Sequence, residues 1–285
     1  MKTLKTTRVN YKVKRILKIL VVYCVLVVVC GIFFFPCLWL ILSSFSKTGS
    51  LYDVQGFFPS EYSFDAFIKL FTDTSQYNYP RWLLNTLIIA IFNCLFSTIL
   101  IIGTAYTVSY FQFKSRKGLM KGALVLSMFP SFMGMTIIYI LMTQFNMVNN
   151  IWGLIMIYSC TAPLGYLVQK GFFDTIPQSI YEAARIDGAT NAKIFRTITL
   201  PLAKPIIVYT ALTSFTWPWS DFVFPKLLLI NKDNWTVAVG LMQLQQNEFA
   251  RFAAGSVFIA IPIIVLYFFL VKYMVNGMTS GAVKG

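Results

Sequence analysis

Residues 182–201 read Glu-Ala-Ala-Arg-Ile-Asp-Gly-Ala-Thr-Asn-Ala-Lys-Ile-Phe-Arg-Thr-Ile-Thr-Leu-Pro. This stretch is charged and amphipathic, whereas the chain around it consists mostly of apolar runs of membrane-spanning length. Pro177 suits the first turn of a helix, which Asp174 or Thr175 would cap. Gly188 suits the left-handed residue that ends a helix. The segment therefore predicts a helix that finishes at a glycine turn.

A second short helix is expected after that turn. Thr190 or Asn191 would cap its amino end, since both side chains accept hydrogen bonds from free backbone N–H groups. The helix would run through Ile198, and Pro201 would stop it. The whole segment is thus predicted to be a helix, a glycine turn and a helix.

Ala183 and Ala184 give the first helix a face without bulky side chains, which allows another protein to approach closely. An ordinary amphipathic hairpin on the protein surface explains the same local pattern, so the pattern alone leaves both interpretations open. Arg185, Lys193 and Arg196 likewise fit either a pairing with acidic residues of a partner or simple solvation.

The composition indicates a membrane protein rather than a soluble domain. Of the 285 residues, 57% are hydrophobic and 12% are charged. The chain has no histidine, which excludes imidazole catalysis and histidine metal ligands. The net charge is +14, and the basic residues lie between the apolar runs. Positively charged cytoplasmic loops therefore explain this charge better than a nucleic-acid partner does.

The cysteines do not predict a metal site or a disulfide framework. All five lie inside apolar runs and none forms a Cys-x-x-Cys pair. They are interpreted as small apolar residues.

Six apolar runs predict an all-α membrane protein with six transmembrane helices. The expected domain organisation is a basic tail at 1–15, a permease domain at 16–276 with a charged loop at 170–203, and a tail at 277–285. The predicted spans are 16–42, 82–110, 122–142, 151–168, 204–224 and 251–275.

The distribution of basic residues predicts the orientation. Six spans put both termini on one side, and with that side in the cytoplasm most of the 24 Lys and Arg residues are cytoplasmic. The expected location is therefore a bacterial cytoplasmic membrane, with both termini and the 170–203 loop inside.

The spacing Glu-Ala-Ala, three residues, Gly, nine residues, Ile-x-Leu-Pro resembles the signature loop of permease subunits in bacterial binding-protein-dependent ABC importers. The resemblance implies an importer type I permease whose loop docks into a cytoplasmic ATPase and transmits its motion to the membrane helices. The residues to which this ATPase-coupling role is carried over are Glu182, Ala183, Ala184, Asp187, Gly188, Ile198, Leu200 and Pro201.

Further stretches resemble the maltose/maltodextrin branch of carbohydrate importers, namely Asn85-Thr86, 236–240 and 276–279. This resemblance implies a second homologous permease, two ATPase subunits that carry ATP and Mg, and an extracytoplasmic sugar-binding protein. It also implies an ATPase contact at Lys284 and Gly285. A binding-protein contact is expected at Leu241, Gln243, Gln245 and Gln246, although that outer segment is short.

Asp221 is the one acidic residue near the interior of a predicted span. A charge in mid-membrane costs about 2.5–3.5 kcal/mol on insertion scales, so the residue would face a water-filled pathway. Trp217 and Trp219 would then stack on sugar rings there. The alternative is a position in the outer aromatic belt, because Pro218 and Pro225 suggest that the helix breaks nearby.

The sequence predicts no enzymatic activity for the chain itself. It contains no Gly-x-x-x-x-Gly-Lys-[Ser/Thr] motif, so ATP hydrolysis would belong to another subunit. An ABC permease for a different solute would share the signature loop. A stand-alone secondary transporter would be expected to show intramembrane acids or inverted repeats. A membrane enzyme would require a clustered catalytic set, which the spans lack.

Overall fold

The computed structural model describes residues 2–47, 56–129, 131–161, 165–245 and 248–282. Within these ranges the regular structure is helical, apart from one isolated antiparallel bridge between Ser46 and Tyr62. The predicted all-α class is therefore confirmed.

The helices alternate between long apolar elements and short connecting ones. In chain order they are α1 (Lys2–Ser44), α2 (Asp65–Thr72), α3 (Tyr79–Tyr110), α4 (Arg116–Met128), α5 (Ser131–Gln144), α6 (Ile151–Thr161), α7 (Leu167–Phe173), α8 (Gln178–Ile186), α9 (Asn191–Ile194), a π-helical turn (Phe195–Thr199), α10 (Leu200–Leu202), α11 (Lys204–Ser220), α12 (Val223–Leu228), a 3-10 turn (Lys232–Asn234), α13 (Val237–Leu244) and α14 (Phe249–Ala282).

Among the described residues, three helices are long and apolar enough to cross a membrane: α1 from Lys14, α3, and α14 as far as Tyr273. The number rises to five if the bent pair α4–α5 and the bent pair α9–α11 each count as one span. The predicted fourth span at 151–168 is not one continuous helix, because α6 ends at Thr161 and α7 begins at Leu167. Six spans remain a prediction.

Backbone contacts divide the chain into two compact units. The smaller comprises Met1–Lys69 and Gln245–Val257. Within it, Phe45 packs its ring 5.3 Å from Phe64 and 5.1 Å from Phe67, measured between ring centroids. An exposed ion pair, 2.8 Å long, joins Lys47 to Glu61 in the same unit.

The larger unit comprises Leu70–Leu244 and Phe258–Gly285, and α3 lies at its centre. This helix packs against α11, α6, α7 and α13. Buried polar groups hold it in place, because Asn93 donates its amide N–H to the Ser214 carbonyl oxygen at 2.7 Å and accepts from the Ser97 hydroxyl at 2.6 Å. The Asn93 side chain therefore links α3 to α11 inside the protein.

Both ends of the described chain are helical. α1 begins at Lys2, so the basic segment at 1–15 continues directly into the first apolar helix. α14 continues to Ala282, and the tail expected after residue 276 is therefore helical over most of its length.

Candidate functional site

The glycine turn of the charged loop has the predicted geometry. Gly188 has φ = +76°, and a Cβ at this position would meet no atom within 4 Å. Ala189 N–H donates to the Ala184 carbonyl oxygen, and Gly188 N–H donates to that of Arg185, which together form a Schellman motif. Glycine is therefore needed here for its backbone freedom and not for lack of space.

The start of α8 differs from the prediction. The helix begins at Gln178, one residue after Pro177, and no side chain caps it. Thr175 donates its hydroxyl back to the Phe172 carbonyl oxygen, and Asp174 is bound elsewhere by Lys170 and by Ser109. Neither predicted cap residue accepts a hydrogen bond from an amide group of α8.

The second helix of the loop starts as predicted but ends later. Thr190 accepts a hydrogen bond from the Lys193 backbone N–H at 3.4 Å, as expected of an amino-terminal cap. Pro201, however, does not stop the helix, which continues to Leu202. Because proline has no N–H to donate, the preceding turn widens to a π-helix in which Leu200 N–H reaches the Phe195 carbonyl oxygen. The chain then turns by 76° into α11.

One face of the loop packs against the carboxyl-terminal end of α3. Tyr181 of α8 is 3% exposed and sits edge-on to Tyr110, with ring centroids 4.9 Å apart. Phe195 lies 4.6 Å from Tyr106 by the same measure. The two tyrosines of α3 stack on each other at 5.0 Å. This aromatic cluster fixes the loop to the end of α3.

The opposite face of the loop is exposed. Glu182, Ala183, Asp187 and Gly188 are all solvent-accessible, and Ile186 is 86% exposed. Ile186 was not among the predicted coupling residues, although an isolated apolar residue between Arg185 and Asp187 was a visible signal. Its side chain is exposed between a basic and an acidic residue, directly before the Gly188 turn.

Three of the predicted coupling residues face less outward than the others. Ala184 is 8% exposed and packs inward, so only Ala183 leaves the alanine face open. Ile198 and Leu200 are half-buried, and Pro201 is exposed. The open surface is therefore the first helix and its glycine turn.

Polar contacts join the loop to α3 at Ser109 and Tyr110. Arg185 Nη2 donates to the Tyr110 hydroxyl at 2.9 Å, and that hydroxyl donates to Asn191 Oδ1 at 3.2 Å. The Arg185 guanidinium also lies over the Tyr110 ring, 5.1 Å from its centroid. We refer to Tyr110, Arg185 and Asn191 as the Tyr110 junction.

Asp174 forms a second junction beside it. Its carboxylate accepts from the Ser109 hydroxyl at 2.6 Å and pairs with the Lys170 ammonium group. Burial by itself would raise the pKa of Asp174, but the hydrogen bonds from Lys170 and Ser109 and the charges of Lys170 and Arg116 outweigh it and lower the pKa. The carboxylate is therefore held in its ionised form.

At the other end of α3, two sequence stretches noted above come together. Asn85 donates its amide to the carbonyl oxygens of Asp233 and Trp235, and the Thr86 hydroxyl accepts from Val237 N–H at 2.8 Å. Gly240 of α13 lies directly against the indole of Trp82. α3 thus contacts the charged loop near one end and the 232–240 segment near the other.

The proposed pathway residues do not form one group. Trp217 is 58% exposed, whereas Trp219 is 3% exposed and packs on Phe215. Residues two apart lie on opposite faces of a helix, so the two indoles cannot flank one site. The Asp221 carboxylate accepts from the Tyr158 hydroxyl at 2.6 Å and from Val223 N–H at 2.9 Å, at the break between α11 and α12. Its contacts are those of a structural residue at a helix end.

The outer-segment residues also separate. Leu241 is 3% exposed, so it is not accessible to a partner, whereas Gln243 is exposed and Gln245 half-buried. Gln246 lies outside the described residues, as do Lys284 and Gly285. The described residues contain no group of three or more Cys, Asp or Glu side chains that could hold a metal ion.

Comparison with known proteins identifies the family. Residues 12–280 match the family described as binding-protein-dependent transport system inner membrane component. The chain belongs to this family. As an inner-membrane permease subunit of an ABC transporter, it is not itself the catalytic component. The transporter to which such a permease belongs includes a binding protein and ATPase components.

Curated relatives cover nearly the whole permease. It is 36% identical to the maltodextrin transport system permease protein MalD of Streptococcus pneumoniae, over 97% of this chain and 99% of the relative. It is 34% identical to the galactooligosaccharides transport system permease protein GanQ of Bacillus subtilis, over the same shares of the two chains.

A solved structure confirms the fold. A chain of a bacterial ABC transporter involved in the import of the acidic polysaccharide alginate superposes with a TM-score of 0.73 at 21% identity. The match covers 89% of this permease and 95% of that chain. The ABC importer permease fold expected from the sequence resemblance is thus supported by structure.

Proposed function

We propose that this permease forms half of the translocation pathway of an ATP-driven oligosaccharide importer, with maltodextrin-like sugars as the substrate class. The relatives that cover the full chain are named for maltodextrin and galactooligosaccharide transport. A second homologous permease, two cytoplasmic ATPase subunits that bind ATP and Mg, and an outer sugar-binding protein complete the complex. The permease crosses the membrane six times with both termini in the cytoplasm.

The coupling role is supported by the difference between the two faces of the charged loop. Its inner face, with Tyr181 and Ala184, is buried against α3, whereas its outer face presents Glu182, Ile186 and Asp187. In the proposed complex the outer face inserts into the ATPase. Ile186 enters an apolar recess there, and the two carboxylates pair with basic residues around it.

The proposed mechanism is alternating access. When ATP closes the two ATPase subunits, the loop moves with them as a rigid unit, because the Schellman motif at Gly188 and the aromatic cluster leave it little internal freedom. The motion is transmitted to the membrane helices packed on the loop, and it opens the translocation pathway toward the binding protein. The contacts of Asp221 favour a structural role for that residue over contact with the sugar.

An ABC permease for another solute class would use the same loop, and only the names of the relatives favour oligosaccharides. A stand-alone secondary transporter is disfavoured because the described membrane helices contain no acidic residue, and Asp221, which directly follows α11, is already bound by Tyr158.

The proposal is tested by replacing Gly188 with valine. A β-branched residue at φ = +76° costs roughly 1–2 kcal/mol or more in backbone strain, which tilts the exposed tip of the loop. Uptake of radiolabelled maltotriose by cells that express the complete importer should fall by about tenfold or more. Insertion of the permease into the membrane should stay normal.

Gly171→Val is the matched control. Gly171 lies on α7 in the same loop region, and it too has no atom within 4 Å of an added Cβ, but its φ is not positive. This variant should transport nearly as well as wild type. Normal uptake by Gly188→Val, or an equal loss in both variants, would contradict the coupling role of the turn.

A further inference from the structure

The Tyr110 junction is the most specific polar contact between the charged loop and a membrane helix. Tyr110 is the last residue of α3 and is 6% exposed. Its hydroxyl is shared between Arg185 of α8 and Asn191 of α9, the two helices on either side of the Gly188 turn. One side chain of α3 therefore holds both arms of the loop.

The junction combines three kinds of contact on the same ring. The hydroxyl makes two hydrogen bonds, the ring attracts the Arg185 guanidinium, and Tyr181 makes an edge contact with the same ring. Hydrogen bonds to charged groups are stronger than neutral ones, and burial strengthens them further. A displacement of α8 is therefore expected to move α3 rather than to deform the Gly188 turn.

The helix on which Tyr110 sits is suited to carry such a motion. α3 has 32 residues without an internal break, which gives a length of about 48 Å at 1.5 Å per residue. Near its other end Trp82 donates its indole N–H to the Lys232 carbonyl oxygen at 2.7 Å, and Asn85 binds the adjacent carbonyls. The same rigid element thus connects the loop to the 232–240 segment.

We propose that Tyr110 is the positioning residue through which the charged loop drives α3, so that its hydroxyl sets how much sugar is moved per ATP hydrolysed. This inference rests on the proposed function. It goes beyond that function by naming the membrane helix and the side chain that receive the motion. Tyr110 itself touches neither ATP nor sugar in this role.

A Tyr110→Phe variant tests the proposal, because it removes both hydrogen bonds and keeps the stacked ring. The complete importer is reconstituted in vesicles with its binding protein, and maltotriose uptake and phosphate release are measured in the same sample. Uptake per ATP should fall roughly fivefold or more, since the net free energy of even one of the two lost hydrogen bonds corresponds to a factor of roughly five. The amount of ATPase that co-purifies with the permease should not change.

Two further variants separate transmission from packing. Asn191→Ala removes one of the two bonds from the other side, so it should give a smaller loss, and the double variant should be no worse than Tyr110→Phe alone. Tyr267→Phe, on α14 and 45% exposed, is the control and should behave as wild type.

The outcomes are distinct. An unchanged ratio of uptake to ATP hydrolysis in Tyr110→Phe overturns the inference, and so does a lower yield of complex whose remaining molecules keep the wild-type ratio. If Tyr110→Phe does not assemble, the same ratio measured in Asn191→Ala decides between the two results. A wild-type complex that shows no ATP-dependent uptake of any oligosaccharide would overturn the proposed function itself.

Discussion

Gly240 of α13 packs directly against the indole of Trp82, which leaves no room for a side chain at this position. A Cβ added to Gly240 would overlap the benzene ring of Trp82, which is itself fully buried and hydrogen-bonded to the Lys232 carbonyl oxygen. We predict that Gly240→Ala destabilises the permease by about 1–3 kcal/mol, because neither the ring nor α13 has room to move. Thermal denaturation of the purified protein in detergent measures the effect as a lower melting temperature.

Gly103→Ala serves as the control for that substitution. Gly103 lies inside α3 with no atom within 4 Å of an added Cβ, so alanine there should leave the melting temperature unchanged or raise it slightly. Equal melting temperatures for Gly240→Ala and Gly103→Ala would contradict this prediction. They would show that the added methyl group fits beside Trp82 without a loss of stability.

At the scale of helices and turns, the features predictable from sequence were those with local causes. The Schellman turn at Gly188 and the cap at Thr190 depend on residues within one helical turn, and both form as expected. The separation of Trp217 from Trp219 was also predictable, since helical geometry puts residues two apart on opposite faces. The resemblance to the family supplied the role of the loop, which no local pattern contains.

Breaks in the apolar helices were harder to predict because their causes are tertiary. A hydropathy pattern shows how apolar a segment is, but not whether its helix is continuous. Residues 151–168 were therefore predicted as one span, although α6 ends at Thr161. Pro201 was expected to end a helix, but the π-helical turn before it absorbs the missing N–H. The Tyr110 junction joins residues 75 and 81 positions apart, a distance that no sequence pattern bridges.

The second junction predicts how loop attachment depends on pH. The pKa of Asp174 is below its ordinary value of 3.8 in the folded protein, so its contribution to stability is complete above that value and is lost as the pH falls through the lowered pKa. We predict that the melting temperature of wild type exceeds that of Asp174→Asn at neutral pH. The difference should shrink once the pH drops below about 3.8.

Ser179→Ala is a suitable comparison, because it changes an exposed residue of α8 outside the Ser109–Lys170 contacts and removes no titratable group. Its difference from wild type should not change with pH. A constant difference between wild type and Asp174→Asn across the acidic range would show that the ionised carboxylate does not stabilise the fold.

For the whole molecule, the two surfaces joined by α3 must lie on opposite sides of the membrane if the proposed function is correct. The excess of basic residues on the loop side predicts that this side is cytoplasmic. α3 is long enough to span the hydrocarbon core, since about 20 residues suffice. We therefore predict that the 232–240 segment is accessible from outside the cell and that the charged loop is not.

Single cysteines in a cysteine-free background test this arrangement. Ser179→Cys places a thiol at an exposed position of α8, and Asp233→Cys places one at an exposed position of the 232–240 segment. A membrane-impermeant maleimide added to spheroplasts should label Asp233→Cys at once and Ser179→Cys only after the membrane is opened. Labelling of both thiols from outside would put the loop out of reach of a cytoplasmic ATPase. Such a result would leave the exposed Ile186 and the left-handed turn at Gly188 without the partner that the proposed function assigns to them.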